Sequence, residues 1–369
     1  MTASARAMVF DGPGKPLQLR HFELPELKPG EVLVKVAMTT LCGSDLHTLQ
    51  GHRSTPCPTI LGHEILGTVA TLPSEGQATD VTGRPLSIGD RITWSVAVHC
   101  GECFFCQHEL PQKCEHLFKY GHEPIRPQHA LGGGLADYCH LAAGTTVFRV
   151  PEVLDDRVAC PANCATATVV AAMRAAGICA TDHCKDDVLL IQGAGMLGLT
   201  AAAMASSQQA RDVIVCDIHA HRLRQAKQFG ASHTVRVEQD SQALQDVVME
   251  TTRGRGVDLV LEMSGSPDAM ETGMDLLRTG GQYIWVGAVS PARPVSLSAE
   301  KVVRKMLKIQ GVHNYTPADL ADALVFLESH QQNFQFATLV SKSFRLEEAN
   351  AAFEEAANSG SLRVAVHPE

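Results

Sequence analysis

Val188-Leu-Leu-Ile-Gln-Gly193-Ala-Gly195-Met196-Leu197-Gly198 is an apolar run that breaks into three glycines and then enters the alanine-rich stretch Leu199 to Gln208. An apolar strand, a glycine turn and a helix, followed by a second apolar run at Val213 to Cys216, make a βαβ unit, which implies a parallel sheet. Glycines at 193, 195 and 198 permit a tight turn and close approach of a pyrophosphate to a helix N-terminus. The same spacing also serves plain structural turns. Asp217 separates the two readings, because it ends the next strand 24 residues after Gly193, where a carboxylate bonds a ribose 2′-hydroxyl. It would repel a 2′-phosphate, so NAD is expected over NADP. The alternation continues through Val257 to Glu262 and Gln282 to Val286, each an apolar strand before a glycine-containing turn.

Upstream the texture differs. The first 150 residues are rich in Gly, Pro and short β-branched runs such as Glu31 to Val36 and Ile65 to Thr71, which read as strands joined by turns. A chain of 369 residues exceeds the size at which one core stops growing, so two domains are expected. The tail carries helical stretches at Pro317 to Ser329 and Leu346 to Ala357 and an apolar run at Leu362 to Val366, expected to pack back onto the first domain. A net charge of −9 argues against nucleic acid or an anionic membrane as the main partner. With no signal-peptide-like run in Met1 to Arg20 and no membrane-length apolar tract, a cytoplasmic location is expected.

Twelve cysteines in a long chain of this kind point to metal rather than to disulfides. Cys100, Cys103, Cys106 and Cys114 are spaced C-x2-C-x2-C-x7-C, which lets one short loop, about residues 99–115, wrap four thiolates around a tetrahedral zinc. The alternative for this lobe is a zinc-ribbon contact module. Cys42, the triplet Gly62-His63-Glu64 and Cys164 can supply a second site, whose Cys2His set leaves the fourth position open. Singly, each is as well explained as a buried thiol, a satisfied histidine or a solvated charge. Cys57, Cys139, Cys160, Cys179, Cys184 and Cys216 read as reduced thiols.

Taken together, Cys42-Gly-Ser-Asp-Leu-His47, Gly62-His63-Glu64, Gly89-Asp90-Arg91, the four-cysteine lobe, Pro161-Ala-Asn-Cys164-Ala-Thr-Ala-Thr168, the glycine loop with Asp217, and Ser361-Leu362-Arg363 give a resemblance over nearly the whole chain. The chain resembles the zinc-containing alcohol dehydrogenases of the medium-chain dehydrogenase/reductase superfamily. The resemblance implies an α/β architecture: a GroES-like β-rich catalytic domain at 1–158 and 312–369, and a Rossmann doubly wound parallel-sheet NAD-binding domain at 159–311. It implies two zinc ions per subunit, a catalytic one on Cys42, His63 and Cys164 with Glu64 as a transient ligand, and a structural one on the four-cysteine lobe. Asp45 would orient His63, Ser44 would face the substrate oxygen, and His47 would pass the proton to solvent. Met196 and Leu197 belong to the cofactor loop, Thr168 matches a threonine near the nicotinamide, and Arg363 matches a basic residue reaching the pyrophosphate. The implied activity is hydride transfer from a small alcohol to NAD, in a homodimer or homotetramer.

Departures from the family pattern bear on the substrate. Pro73 replaces a small residue, and the stretch 74–87 is long. Arg53, preceded by His52, stands where relatives place a bulky apolar residue, and Val96 matches another pocket position. A guanidinium there suits a carboxylate, phosphate or phosphonate, against the plainer expectation of a solvated arginine. Gly311-Val-His-Asn-Tyr315 is a further polar candidate. The run from Leu41 to Arg53 is similar to a bacterial clade associated with phosphonate catabolism. A polyol or amino-alcohol dehydrogenase is the neighbouring alternative, and a non-catalytic NAD-binding homologue is the alternative of another class.

Overall fold

The computed structural model of the protein describes residues 4–178, 184–237 and 241–368, and Cys179 lies outside them. Contacts divide the chain into two units, one of residues 1–164, 316–331 and 336–369, the other of 165–315 and 332–335. No helix among the described residues is long and apolar enough to cross a membrane. Cys57, Cys139, Cys160, Cys184 and Cys216 are free thiols, all but Cys57 buried.

In the β-rich unit the strand Val32–Thr40 is the hub. It pairs antiparallel with Glu64–Thr71, Tyr138–Leu141 and Arg363–His367. The β-branched runs seen in the sequence account for these strands, which bury Val34, Val36, Ile65 and Val69 in one core. The register has a chemical consequence: Thr40 is the partner of Glu64 on one side and of Ala365 on the other, so the C-terminal strand delivers Arg363 to Glu64. Leu346 to Ala357 is not one helix. A 3-10 turn, Leu346–Glu348, precedes the helix Ala349–Asn358, and Glu348 folds back to accept the Arg345 N–H at 2.9 Å.

The long stretch 74–87 closes on itself. Asp80 Oδ1 accepts the Thr82 N–H at 2.9 Å, the Thr82 hydroxyl at 2.6 Å and the Arg84 N–H at 3.1 Å. Arg149 clamps Asp80 and Asp90, fixing the loop to the edge strand Val147–Arg149. Burial works to raise the Asp80 carboxyl, but the Thr82 hydroxyl, the two N–H donors and Arg149 outweigh it and hold it at about 2.

The second unit is a six-stranded, wholly parallel sheet in the order His233–Arg236, Asp212–Asp217, Val188–Gln192, Val257–Glu262, Leu277–Trp285, Lys308–Gly311. That order, with the first strand of the βαβ unit central and the chain reversing direction beside it, is the doubly wound Rossmann arrangement. Val188–Gln192 is buried along its whole length, as a central parallel strand covered on both faces must be.

Candidate metal and dinucleotide sites

Within the four-cysteine lobe, Cys103 precedes the helix Phe104–Gln107, which contains Cys106, and Cys114 follows the turn Pro111–Lys113. Four sulfur–sulfur separations are 3.5 Å (Cys103–Cys106), 3.5 Å (Cys100–Cys114), 3.9 Å (Cys103–Cys114) and 4.0 Å (Cys100–Cys106). A zinc–sulfur bond of about 2.3 Å in a regular tetrahedron sets the edge at about 3.8 Å, so the cage already has the dimensions of the ion. Backbone N–H groups point at the sulfurs, Cys103 N to Cys100 Sγ at 3.4 Å and both Cys100 N and His116 N to Cys114 Sγ at 3.3 Å. Such donors favour thiolates; those of Glu115 and Cys106 bring the Cys103 thiol down to about 6.

The second donor set is Cys42, His63, Glu64 and Cys164, whose ligand atoms lie within 4.8 Å of one another. Asp45 organises it. One carboxylate oxygen accepts the Cys42 N–H at 2.9 Å, capping the helix Gly43–Leu49, and the other lies 3.2 Å from His63 Nδ1 and 3.3 Å from Gly62 N. With Nδ1–H committed to a wholly buried carboxylate, Nε2 presents its lone pair to the site. Cys164 is set by its neighbour: Asn163 Nδ2 donates to the carbonyls of His63 at 3.2 Å and Trp94 at 3.1 Å, pinning the Cys160–Asn163 turn. Asn163 lies inside the Pro161 to Thr168 pattern, which assigned it no role of its own.

Charges in this cluster are coupled. The Cys42 thiol is held well below its ordinary range by the Cys164 S–H, then by Arg363 and His63, whereas the Cys42 sulfur and burial push Cys164 up. Burial works to lower His63, but Asp45 and Cys42 outweigh it and carry the imidazole to about 10, marking a place where positive charge is strongly favoured. A dication meets that demand, and the sulfur and nitrogen donors match zinc.

Glu64 is fully buried rather than a solvated charge, and its partner is Arg363, the residue that the resemblance implies for the pyrophosphate. Arg363 is 5% exposed and forks onto Glu64, with Nε and Nη2 each 2.7 Å from a carboxylate oxygen. Nη2 also reaches Cys42 Sγ at 3.4 Å, and Thr40 gives Glu64 a third hydrogen bond at 2.5 Å. Any ligation by Glu64 therefore competes with an arginine for the same carboxylate. Ser44 Oγ lies 3.5 Å from His63 Nε2, and His47, three residues on, shares its helix face.

Around this set lie residues the sequence reading only half found. Val96 is buried, and its carbonyl accepts the Tyr120 N–H at 3.0 Å. The next residues bring His122 to a ring separation of 5.1 Å from His63. Arg53, fixed by its N–H to the His47 carbonyl at 3.1 Å, lies within electrostatic reach of both Lys119 and His122. Burial, reinforced by Arg53, lowers Lys119 to about 8.

In the Rossmann unit Gly193 has φ +96°, and a Cβ on Gly198 would fall 1.8 Å from the Gly193 carbonyl, so the loop and helix touch as only glycine allows. Gly195 precedes the helix Met196–Ser207. Asp217 accepts the N–H groups of Ala194 and His219, each at 2.7 Å. A cavity of about 570 Å³ opens over Gly193, Gly195, Asp217, Ile218, Arg222 and Ser264. Arg222 was missed in the sequence, although it follows Asp217 by five residues in the first turn of the helix Ala220–Gln228. Thr168 lies half-buried on the helix Ala165–Ala175, outside this lining. His313, Asn314 and Tyr315 belong to the same unit.

Residues 28–152 match the family model described as alcohol dehydrogenase GroES-like domain, and residues 197–329 the one described as zinc-binding dehydrogenase. The chain is 31% identical over 355 residues to the sorbitol dehydrogenase of Halalkalibacterium halodurans, covering 94% of this chain and 96% of that one. It is 31% identical over 297 residues to an L-threonine 3-dehydrogenase of Escherichia coli, 79% of either chain. The crystal structure of an alcohol dehydrogenase from Thermotoga maritima superposes with a TM-score of 0.93 over 100% of both chains, at 30% identity.

Proposed function

The chain belongs to the zinc-containing alcohol dehydrogenases of the medium-chain dehydrogenase/reductase superfamily, and from that premise we propose that it oxidises a small alcohol with NAD, giving an aldehyde or ketone and NADH. The observation that carries this reading is the convergence of Cys42, His63, Glu64 and Cys164, with Asp45 behind the histidine; with Glu64 held by Arg363, the other three donors would leave a tetrahedral zinc one position for substrate. Zinc held there supplies Lewis-acid polarisation of the alcohol oxygen. Asp45 keeps His63 in the ligating tautomer. Ser44 takes the hydroxyl proton, and His47 on the same helix face releases it to solvent. The four-cysteine lobe holds the structural zinc. The glycine loop binds the pyrophosphate, and Asp217 binds the adenosine ribose. A non-catalytic homologue would have no use for an intact open donor set.

A polyol or amino alcohol is the second reading, favoured by the sorbitol and threonine dehydrogenases among the relatives. The proposed setting is the cytoplasm, where thiolate ligands stay reduced, and the proposed assembly is a homodimer or homotetramer, which sedimentation velocity would distinguish from a monomer. The deciding experiment follows NADH absorbance with zinc-loaded protein, NAD and a panel of primary, secondary, polyhydric and amino alcohols. Turnover that stops on chelation and returns with zinc is expected. Full turnover of the metal-free protein would sink the reading.

Cofactor choice gives a second expected result. In Asp217→Asn the charge that repels a 2′-phosphate is gone, one of the two loop N–H groups keeps an acceptor oxygen, and Arg222 lines the same cavity. The ratio of kcat/KM for NADP over NAD should rise by about tenfold or more. An unchanged ratio would remove Asp217 from the ribose site.

A further inference from the structure

The sheet order that puts Asp212–Asp217 on one side of Val188–Gln192 puts Val257–Glu262 on the other, and a dinucleotide crosses the crevice at the ends of these strands. Asp217 stands on one side of it. Across the central strand stands Glu262, in register with Gln192 at the last residue of its own strand and wholly buried. One carboxylate oxygen, Oε1, accepts the Ser264 N–H at 2.7 Å, the Gly265 N–H at 2.7 Å and the Ser264 hydroxyl at 2.6 Å. The other, Oε2, is buried with no hydrogen-bond partner among the described residues. Ser264 Oγ in turn accepts the Ser266 N–H at 3.1 Å, and Ser266 caps the helix Pro267–Leu276.

The turn so held, residues 263–266, has little room to shift. A Cβ on Gly193 would stand 3.0 Å from Ser264 Cβ and 3.1 Å from its Cα, and a Cβ on Gly287 would fall 2.3 Å from Gly265 N. Glycine on both sides lets the turn wedge between the phosphate-binding loop and the segment that follows Leu277–Trp285. Ser264 is exposed on the cavity that Gly193, Gly195 and Asp217 also line. The three bonds to Oε1 have the lengths of charge-assisted hydrogen bonds. They are not needed to fix the strand end, because the Glu262 carbonyl already accepts the N–H groups of Val286 and Gly287, each at 3.0 Å. An unpaired buried oxygen lowers stability, so this carboxylate suits the task of fixing the turn better than that of holding the sheet.

We infer that Glu262 is a positioning residue of the dinucleotide site, holding the turn 263–266 against Gly193 as the wall that faces Asp217 across the crevice. This rests on the NAD reading above and adds to it the residue that shapes the half of the site beyond the adenosine. The two halves of the cofactor then depend on different carboxylates, the adenosine half on Asp217 and the remainder on Glu262 through Ser264 and Gly265. A fragment confined to the adenosine side makes no use of the turn.

The test compares binding of NADH, followed by its fluorescence, with binding of adenosine 5′-monophosphate, followed by calorimetry, on zinc-loaded protein without turnover. Glu262→Gln keeps the shape and one acceptor oxygen but removes the charge. Its Kd for NADH should rise about tenfold while that for the monophosphate changes less than about twofold. The KM for NAD should rise in parallel, with kcat at saturating NAD close to that of the wild type. Equal weakening of both ligands, or a lower urea midpoint with the NADH Kd unchanged, would make Glu262 a structural residue only and overturn the inference. If Glu262→Gln does not fold, Ser264→Ala decides, since it removes the hydroxyl donor and leaves both N–H groups in place. A rise of about threefold in the NADH Kd with the monophosphate unaffected supports the inference, and an unchanged NADH Kd overturns it. A wild type that binds no NADH shows before any variant is made that the NAD reading itself has failed, and the inference goes with it.

Discussion

Cys164→Ala is expected to leave a folded protein that binds one zinc per chain instead of two and oxidises alcohols at least ~10³-fold more slowly than the wild type. The reasoning starts from what holds the turn. Cys164 is only half-buried, and its turn is pinned by Asn163 through the His63 and Trp94 carbonyls, so the backbone keeps this support when the sulfur is trimmed. Cys42 would be a poorer target, because its N–H is capped by Asp45 and its sulfur accepts from Arg363. The remaining Cys42 and His63 make a two-point site, too few for a zinc that needs three protein ligands to hold it and one position for the substrate. The lobe of Cys100, Cys103, Cys106 and Cys114 shares no ligand with this set and keeps its ion. Elemental analysis after dialysis, read beside steady-state rates, checks both halves. Two zinc ions retained with near wild-type turnover would remove Cys164 from the chemistry.

What the sequence disclosed, and what it withheld, follows from the range of the interactions. The glycine loop and the four-cysteine lobe are local: the residues that act together lie within 6 and 15 positions of one another, so spacing alone carries their geometry. The Rossmann order follows almost as directly from the alternation of apolar runs and glycine turns. The pairing of Arg363 with Glu64 spans 299 residues and exists only because Thr40 is in register with both Glu64 and Ala365. Nothing near either residue announces it, and an arginine at the start of a short terminal strand reads as available to a phosphate. The same holds for His122. Its place beside His63 depends on a close contact between Gly121 and Gly62, about 60 positions apart, and a lone histidine in a loop carries no signal of its own.

The longest of these pairings should also carry the largest stability effect. In Arg363→Met the chain loses about 3–5 kcal/mol, the expected consequence of stranding one partner of a buried ion pair. Glu64 is wholly buried, and without the guanidinium the Thr40 hydroxyl is the remaining donor to its carboxylate among the described residues. Burial already raises the Glu64 pKa against the pull of Arg363. Removing that pull raises it further, and the carboxyl then binds a proton rather than remain charged. A folded pKa above the unfolded one gives stability that is present at low pH and is lost as pH rises through the folded value. The gap between variant and wild type should therefore be wider at pH 8 than at pH 5, measured by urea unfolding of zinc-loaded protein. Arg363→Lys should recover little, since an ammonium cannot bridge both carboxylate oxygens as the guanidinium does. Adding Glu64→Gln to Arg363→Met should restore part of the loss by removing the stranded charge. If Arg363→Met unfolds with the wild type at both pH values, the pair is not the buried bridge described, and the tie between the C-terminal strand and the metal site falls with it.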